Sequence, residues 1–397
     1  MPQAATNSTV TISEADELSD LVRDAGSRGT AIVDYGVAHE GLGHPPPAVH
    51  VRLAQTGSVI EHHERDMTVR VAAGSTMEDL NAKLAPHNQF LPTDADPDLT
   101  LGEVINHNVY GPLRVSYGGM RDLMLGLRYV DGEGRQIHVG GRTVKNVAGY
   151  DLSRFMVGSL GEMGIVYEAT LRTYAVPPRV FTIELHLDDP AVIDTMLTDW
   201  LLTDAAPAWL GLKMADKHAI VRLGYFGRAT ACEVQAMALE NMVKNRPGIK
   251  VLGTSKRSLE QDADERTTRR RWRREASGLC KIIVPPASTG ATCQALAEWV
   301  ADKALVNIEA LPVHGCIFAG GTLDAAVASA FDAQINRMIA PLGGLRVWQR
   351  RPQDAQGIEP FAPPQSDWPM LAKLKHTLDP KRLFNPGRFL RAAKEDA

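Results

Sequence analysis

The chain has 397 residues, 44% of them hydrophobic and 23% charged, a globular composition long enough for two or three domains. Its 43 basic and 47 acidic residues leave a net charge of −4, which gives nucleic acid no electrostatic footing as a partner. The cysteines Cys232, Cys280, Cys293 and Cys316 are scattered without a CxxC pair, which argues against an iron–sulfur cluster or zinc ribbon in this chain and suits a reducing compartment.

The first residues, MPQAATNSTVTISEADEL, hold no basic stretch followed by an apolar core, so no signal peptide is expected. No run of about 18 apolar residues occurs, so no membrane span is expected either. Thr9–Ile12 reads as a short strand, and Ser13 is placed to cap a helix carrying Leu18, Leu21 and Val22 on one face. Strands follow at Thr30–Val33, Val49–Leu53 and Thr68–Val71, with a loop from Asp34 to Pro47. Thr76 opens a helix through Leu80 and Leu84 that ends near Pro86. A second loop runs from Asp96 to Asn108. Leu123–Val130 and Gln136–Val139 form a hairpin around Asp131-Gly132-Glu133-Gly134.

The stretch Val144–Tyr174 is the most informative. Gly149 breaks the chain before Tyr150, and Asp151 is placed to cap a short helix bearing Leu152, Phe155 and Met156. Gly158, Gly161 and Gly164 follow at three-residue intervals, a spacing that lets backbone approach a ligand and present N–H groups to it. A strand begins at Ile165. The run does not sit between a first strand and a long helix, so it is not a dinucleotide fingerprint, and it lacks the Gly-Lys-Ser/Thr ending of a P-loop.

Val176-Pro177-Pro178 marks a boundary. Beyond it, strand Phe181–Leu187, a helix with Ile193, Met196, Leu197, Trp200 and Leu201 inward, strands Trp209–Lys213 and Ala219–Leu223, helix Thr230–Asn245 and strand Ile249–Leu252 spell β-α-β-β-α-β. The order recurs as Lys281–Val284, Ser288–Ala301, Val306–Ala310, Val313–Phe318, Leu323–Ile339 and Leu345–Trp348. Two such units are expected to form one broad antiparallel sheet with helices on one side. Between them, Glu265–Glu275 contains Arg269-Arg270-Arg271-Trp272-Arg273-Arg274. It reads either as a solvated helix face with Trp272 packed inward or as a docking site for an acidic partner or anionic substrate. In the tail, Asp379-Pro380 and Asn385-Pro386-Gly387 are turn chemistry.

Taken together, Lys145-Asn146-Val147-Ala148-Gly149-Tyr150-Asp151-Leu152 and Gly158-Ser159-Leu160-Gly161-Glu162-Met163-Gly164-Ile165 resemble the adenine- and diphosphate-binding part of the FAD-linked oxidases of the vanillyl-alcohol oxidase type. Within that superfamily they resemble the FAD-binding subunits of bacterial glycolate oxidases. The resemblance implies an α+β fold: a two-part FAD-binding domain (1–176), an antiparallel-sheet domain of ferredoxin-like βαββαβ units (177–352), and a segment returning to the FAD domain (353–397). It implies non-covalently held FAD. The implied contacts are Gly36 and Gly41 in the first loop, Pro97, Thr100, Leu101, Gly102 and Asn106 in the second, then Lys145, Gly149, Gly158, Ser159, Gly161, Gly164 and Ile165, and Asn385 and Arg388 in the tail. Two departures stand out. Tyr35, Val37 and Ala38 replace small or hydroxyl residues in the first loop, and Glu103 replaces the second glycine of a Thr-x-Gly-Gly segment.

The implied activity is oxidation of a small 2-hydroxy acid, glycolate to glyoxylate. A catalytic flavoprotein subunit and an iron–sulfur subunit are the implied partners, in the cytoplasm or peripheral to the inner membrane through them. The metal motif of the catalytic glycolate and D-lactate branch has no counterpart. Pro312-Val313-His314-Gly315-Cys316-Ile317 offers one histidine, expected on a strand, and His62-His63 and His107 lack metal-ligand spacing, so no metal and no catalytic residue are assigned. A flavin-free scaffold that kept the fold is the alternative, and a stand-alone oxidase for another substrate is a third.

Overall fold

The computed structural model describes residues 8–34, 48–54, 59–141, 151–203, 206–301, 306–352, 354–355, 357–363 and 365–387. Strand β1 (Thr9–Ile12) leads into helix α1 (Ala15–Arg28). Its N-cap is Glu14, one residue later than expected, because the Glu17 carboxylate reaches back to the amides of both Ser13 (3.0 Å) and Glu14 (3.3 Å). Strands β2 (Ala31–Asp34) and β3 (Ala48–Leu53) complete a three-stranded parallel sheet, ordered β1-β3-β2.

Five strands form the next sheet: β4 (Val59–His63), β5 (Thr68–Ala72), β7 (Met124–Val130), β8 (Gln136–Gly140) and β9 (Ile165–Arg172), in the order β4-β5-β9-β7-β8, while β6 (Gln89–Phe90) pairs with β10 (Tyr174–Ala175). Helix α2 (Met77–Leu84) starts as expected, with the Thr76 hydroxyl accepting from Asp79 N at 3.1 Å. Strand β4 escapes sequence inspection because its string, VIEHH, carries no clean alternation and its residues are only half-buried or exposed. The second loop also differs. Its latter half is helix α3 (Leu101–His107), since Thr100 and Glu103 form a reciprocal capping box and Leu101, Val104 and Ile105 bury a face.

After the short helix α4 (Leu152–Phe155) comes one nine-stranded antiparallel sheet. It contains β11 (Arg179–Leu187), β12 (Trp209–Ala215), β13 (His218–Gly227), β14 (Ile249–Arg257), β15 (Gly278–Ile283), β16 (Val306–Leu311), β17 (Cys316–Gly321), β18 (Leu345–Arg350) and β19 (Phe361–Ala362), ordered β14-β11-β13-β12-β16-β17-β15-β18-β19. The expected pair of βαββαβ units is therefore present. They join edge to edge through β12 and β16, with Leu212 opposite Ala310 and Lys213 opposite Glu309. Helices α5 (Val192–Leu201), α6 (Ala229–Val243), α8 (Thr289–Val300) and α9 (Ala325–Ile339) cover this sheet, and α7 (Leu259–Arg270) precedes β15. Trp200, Trp348, Phe331 and Tyr225 are the largest side chains in the resulting core.

Val313 and His314 are not in a strand. Pro312–His314 is a 3-10 turn closed by Gly315 at φ +60°, and β17 starts only at Cys316. Proline cannot donate to a ladder, and the left-handed glycine reverses the chain. Helix α10 (Trp368–Leu378) then carries the tail back to the first sheet, where Phe384 bridges Ile32 and Asn385 N donates to Ile32 O at 2.9 Å.

Candidate functional site

The second loop and the glycine run meet at the C-terminal end of α3. Gly158 N donates to Ile105 O (2.9 Å) and Leu160 N to Asn106 O (3.0 Å). The tail joins them through Asn385, whose side-chain amide donates to Leu160 O at 3.0 Å. Thr100, Leu101, Gly102, Asn106, Gly158, Ser159, Gly161 and Asn385 thus come from three distant stretches to one neighbourhood. Pro97 lies on the approach, exposed, with its carbonyl accepting from Glu78 N. Gly36, Gly41, Lys145, Gly149 and Arg388 lie outside the described residues.

Several expectations about how these residues act are corrected by their contacts. The amides of Leu101 and Gly102 are engaged by Ser75 O and Ala73 O at 2.8 Å each, and that of Ser159 by Met156 O, so these N–H groups brace the turn. The Leu101 and Ile165 side chains are core. Gly161 is required by Asn385, because a Cβ there would stand 2.4 Å from its Nδ2 at a φ of +67°. Gly164, at φ +150°, would drive a Cβ to 2.8 Å from the Tyr129 ring. Asn385 is fully buried and fastens the glycine turn.

Two features fit a bound FAD. Gly158 has φ +84° and, among the described residues, a Cβ there would meet only Asn108 Cβ, at 3.4 Å. Beside it the buried Ser159 hydroxyl has no hydrogen-bond partner among the described residues, although buried polar groups ordinarily find one.

The glycine-bearing α3 also walls a cleft of about 490 Å³ between the first part of the chain and the nine-stranded sheet. On the α3 side stand Asp96, Asp98, Glu103, His107 and Tyr110. Glu103 does not project as a free charge. Its carboxylate accepts from Thr100 N (2.7 Å) and Thr100 Oγ1 (2.8 Å), and burial raises its pKa against these bonds.

The opposite side holds Arg270, Arg273, Arg274, Lys281, Phe318 and Arg350. The arginine run is part solvated and part internal: Arg269, Arg271 and Arg274 keep exposed side chains, whereas Arg273 is largely buried, and each is paired within the chain. Arg274 grips Asp98 with both terminal nitrogens, and Arg273 binds Glu309 at 2.8 Å with its guanidinium 3.7 Å from the Phe318 ring. Arg270 donates to Asp94 O at 2.5 Å, and Arg350 to the carbonyls of Arg273, Arg274 and Ala276. Arg269 pairs with Glu265 and Arg271 with Glu275. Trp272 does pack inward, partly buried against the cluster of Ala276, Leu279, Leu311, Cys316 and Phe318.

Lys281 is different. Its ammonium lies 4.3 Å from the centre of the Tyr110 ring, and no carboxylate stands within ion-pair distance among the described residues. Burial pushes its pKa below the ordinary lysine value. The same ring receives the Arg114 guanidinium at 4.5 Å, and the Tyr110 hydroxyl donates to Cys316 Sγ at 3.6 Å. Burial holds Tyr110 protonated far above the usual phenol range. His314 is kept neutral, with a pKa of about 4, by burial and then by Arg114. Sequence inspection missed Tyr110 and Lys281. Lys281 sits singly in a strand string, and nothing local indicates that its partner is an aromatic ring 171 positions earlier (281 minus 110).

Comparison with known proteins agrees with this arrangement. Residues 7–140 match the FAD binding domain family. Over 376 residues, 94% of this chain and 96% of its own length, the chain is 25% identical to glycolate oxidase subunit GlcE of Escherichia coli strain K12. It is 33% identical over 165 residues to the mitochondrial cytochrome-type D-lactate dehydrogenase of Arabidopsis thaliana, a match spanning 41% of this chain and 29% of that enzyme. Among solved structures, an alkyldihydroxyacetonephosphate synthase superposes with a TM-score of 0.72 over 94% of this chain and 76% of its own, at 16% identity, which establishes the shared fold. Residues 7–140 of the chain therefore match an FAD binding domain, and nearly the whole chain is similar to a glycolate oxidase subunit.

Proposed function

We propose that the chain is the FAD-binding subunit of a multi-subunit 2-hydroxy-acid oxidase of the glycolate oxidase kind, working with a catalytic flavoprotein subunit and an iron–sulfur subunit. The observation that carries the reading is the cleft, where the FAD binding domain faces a lysine with no carboxylate partner among the described residues. Support comes from the end-to-end match to a glycolate oxidase subunit.

In this reading Thr100, Gly102, Asn106, Gly158, Ser159 and Gly161, with Gly36, Gly41, Lys145, Gly149 and Arg388 from the remaining loops, hold FAD. FAD when bound supplies the acceptor for the hydride of the substrate carbinol. Lys281 receives the substrate carboxylate. His107, at the end of α3 on the cleft wall, takes the hydroxyl proton as general base. Tyr110, held protonated, presents a neutral hydroxyl and an aromatic face rather than a second charge. The Arg274–Asp98 pair keeps the two walls of the cleft at a fixed separation.

A second reading is favoured by the engaged amides of Leu101, Gly102 and Ser159. With those donors used internally, the chain would serve as a flavin-free scaffold of the same complex. The visible spectrum of the purified chain, with release and chromatography of any cofactor, separates the two. Stoichiometric FAD that glycolate or D-lactate bleaches anaerobically, in the chain or its co-purified complex, is the expected result. A folded chain that takes up no added FAD, alone or in the complex, overturns the first reading.

A further inference from the structure

The side chains of His62, Glu64 and His87 meet away from the cleft, and no residue of the cleft wall belongs to this group. His62 is the last residue but one of β4, Glu64 opens the 3-10 turn Glu64–Asp66, and His87 ends the 3-10 turn Ala85–His87 that follows α2. One ring nitrogen from each histidine and a carboxylate oxygen of Glu64 lie within 4.8 Å of one another. His87 Nδ1 stands 2.8 Å from Glu64 Oε1, and the two imidazoles meet edge to face with centroids 4.8 Å apart.

A second observation comes from the residue behind the cluster. Gln89 is buried, and its Nε2 donates to Glu64 O at 2.9 Å. A carbonyl can only accept, so this bond fixes which end of the amide faces where. Gln89 Oε1 then faces His62 Nε2 at 3.1 Å and also accepts from Thr173 Oγ1 at 2.6 Å. Against an acceptor, His62 Nε2 must carry the proton, and Nδ1 keeps the lone pair. An imidazole held by a buried acceptor through one nitrogen, with the other free to donate electrons, is the usual outer arrangement of a metal-bound histidine.

We infer that His62, Glu64 and His87 form a binding site for a divalent transition-metal ion of the zinc class. Two imidazole nitrogens and one carboxylate oxygen suit such an ion, with water as the fourth ligand, and exclude calcium or magnesium, which take oxygen ligands. The Glu64 and His87 side chains are 56% and 36% exposed, so they can rotate by the small amount that closes the cluster around an ion. The site would clasp three separate elements, the end of β4, the turn after it and the turn after α2. Its role is structural and independent of FAD.

The test uses the full-length chain without an affinity tag, stripped with EDTA and titrated with zinc chloride by calorimetry, with thermal unfolding followed in parallel. The expected result is one zinc per chain and a rise in Tm that EDTA reverses. His62→Ala and His87→Ala each weaken binding by at least roughly tenfold and abolish the zinc-dependent rise in Tm, and Gln89→Leu weakens binding by about tenfold through loss of ring orientation. If the variants lower Tm in EDTA while zinc leaves the native chain's Tm unchanged, the cluster is a His87–Glu64 ion pair only and the inference falls. Undiminished binding in the His62→Ala/His87→Ala double variant would also overturn it, since the zinc would then be held elsewhere.

Discussion

Lys375 Nζ donates to Asp379 Oδ2 at 2.7 Å with both groups buried, and this pair joins the tail to the glycine run. The same ammonium donates to Glu162 O within the run and to Phe384 O at 3.0 Å. Asp379 in turn accepts from the amides of Leu383 and Phe384 at 2.9 Å each. One ion pair therefore satisfies the backbone on both sides of the Asn385–Leu160 contact. Asp379→Ala leaves a buried cation unpaired and two amides bare, and is expected to cost about 3–5 kcal/mol. Urea unfolding would report it. FAD content of the purified variant should fall with it, because the turn bearing Gly158 and Ser159 loses its anchor.

Ser159→Ala separates cofactor binding from folding. The hydroxyl has no partner among the described residues, so its removal should change stability by less than about 0.5 kcal/mol. If it serves FAD, the loss of one hydrogen bond, about 1 kcal/mol, weakens FAD binding roughly fivefold. Fluorescence titration of the apoprotein with FAD reads this directly, and unchanged affinity would remove Ser159 from the cofactor site.

Lys281→Met should weaken binding of a small carboxylate such as oxalate by roughly 10- to 100-fold, the equivalent of one charged hydrogen bond at about 1.5–3 kcal/mol. It should also raise Tm near neutral pH. Burial lowers the lysine's folded-state pKa below 10.5, so between the lowered value and 10.5 the unfolded chain binds more protons than the folded one. Native stability therefore gains from this site as pH rises through that window. The advantage of methionine should shrink from pH 7 towards pH 10. A variant less stable than the native chain at pH 7, with oxalate binding intact, would mark Lys281 as a packing residue.

The arginines should grade by their surroundings. Arg266 is buried between Asp94, at 2.9 Å, and Asp262, so Arg266→Ala strands two buried carboxylates and should cost about 3–5 kcal/mol. Arg271 pairs with Glu275 at the surface, 76% exposed, and Arg271→Ala should stay within about 0.5 kcal/mol. Equal effects in denaturant unfolding would refute the assignment of Arg266 as a buried clamp between Asp94 and Asp262.

Short-range physics made much of the chain legible in advance. The alternation in Phe181–Leu187, the helical spacing of Ile193, Met196, Leu197 and Trp200, and the turn residues after them depend on neighbours within a few positions, and the paired βαββαβ order followed. The glycine run and the Asn385-Pro386-Gly387 tail were equally visible, since positive φ selects residue type locally. Only the tertiary structure decided what the charged and polar side chains do. Arg274 could face water, a ligand or Asp98, and the choice rests on a contact 176 positions away. The histidines of β4 lacked metal spacing until the fold brought His87 beside them. Lys281 became distinctive only because burial lowered its pKa and, among the described residues, no carboxylate came within reach. Burial and long-range partners set electrostatics, and neither is encoded by a residue's immediate neighbours.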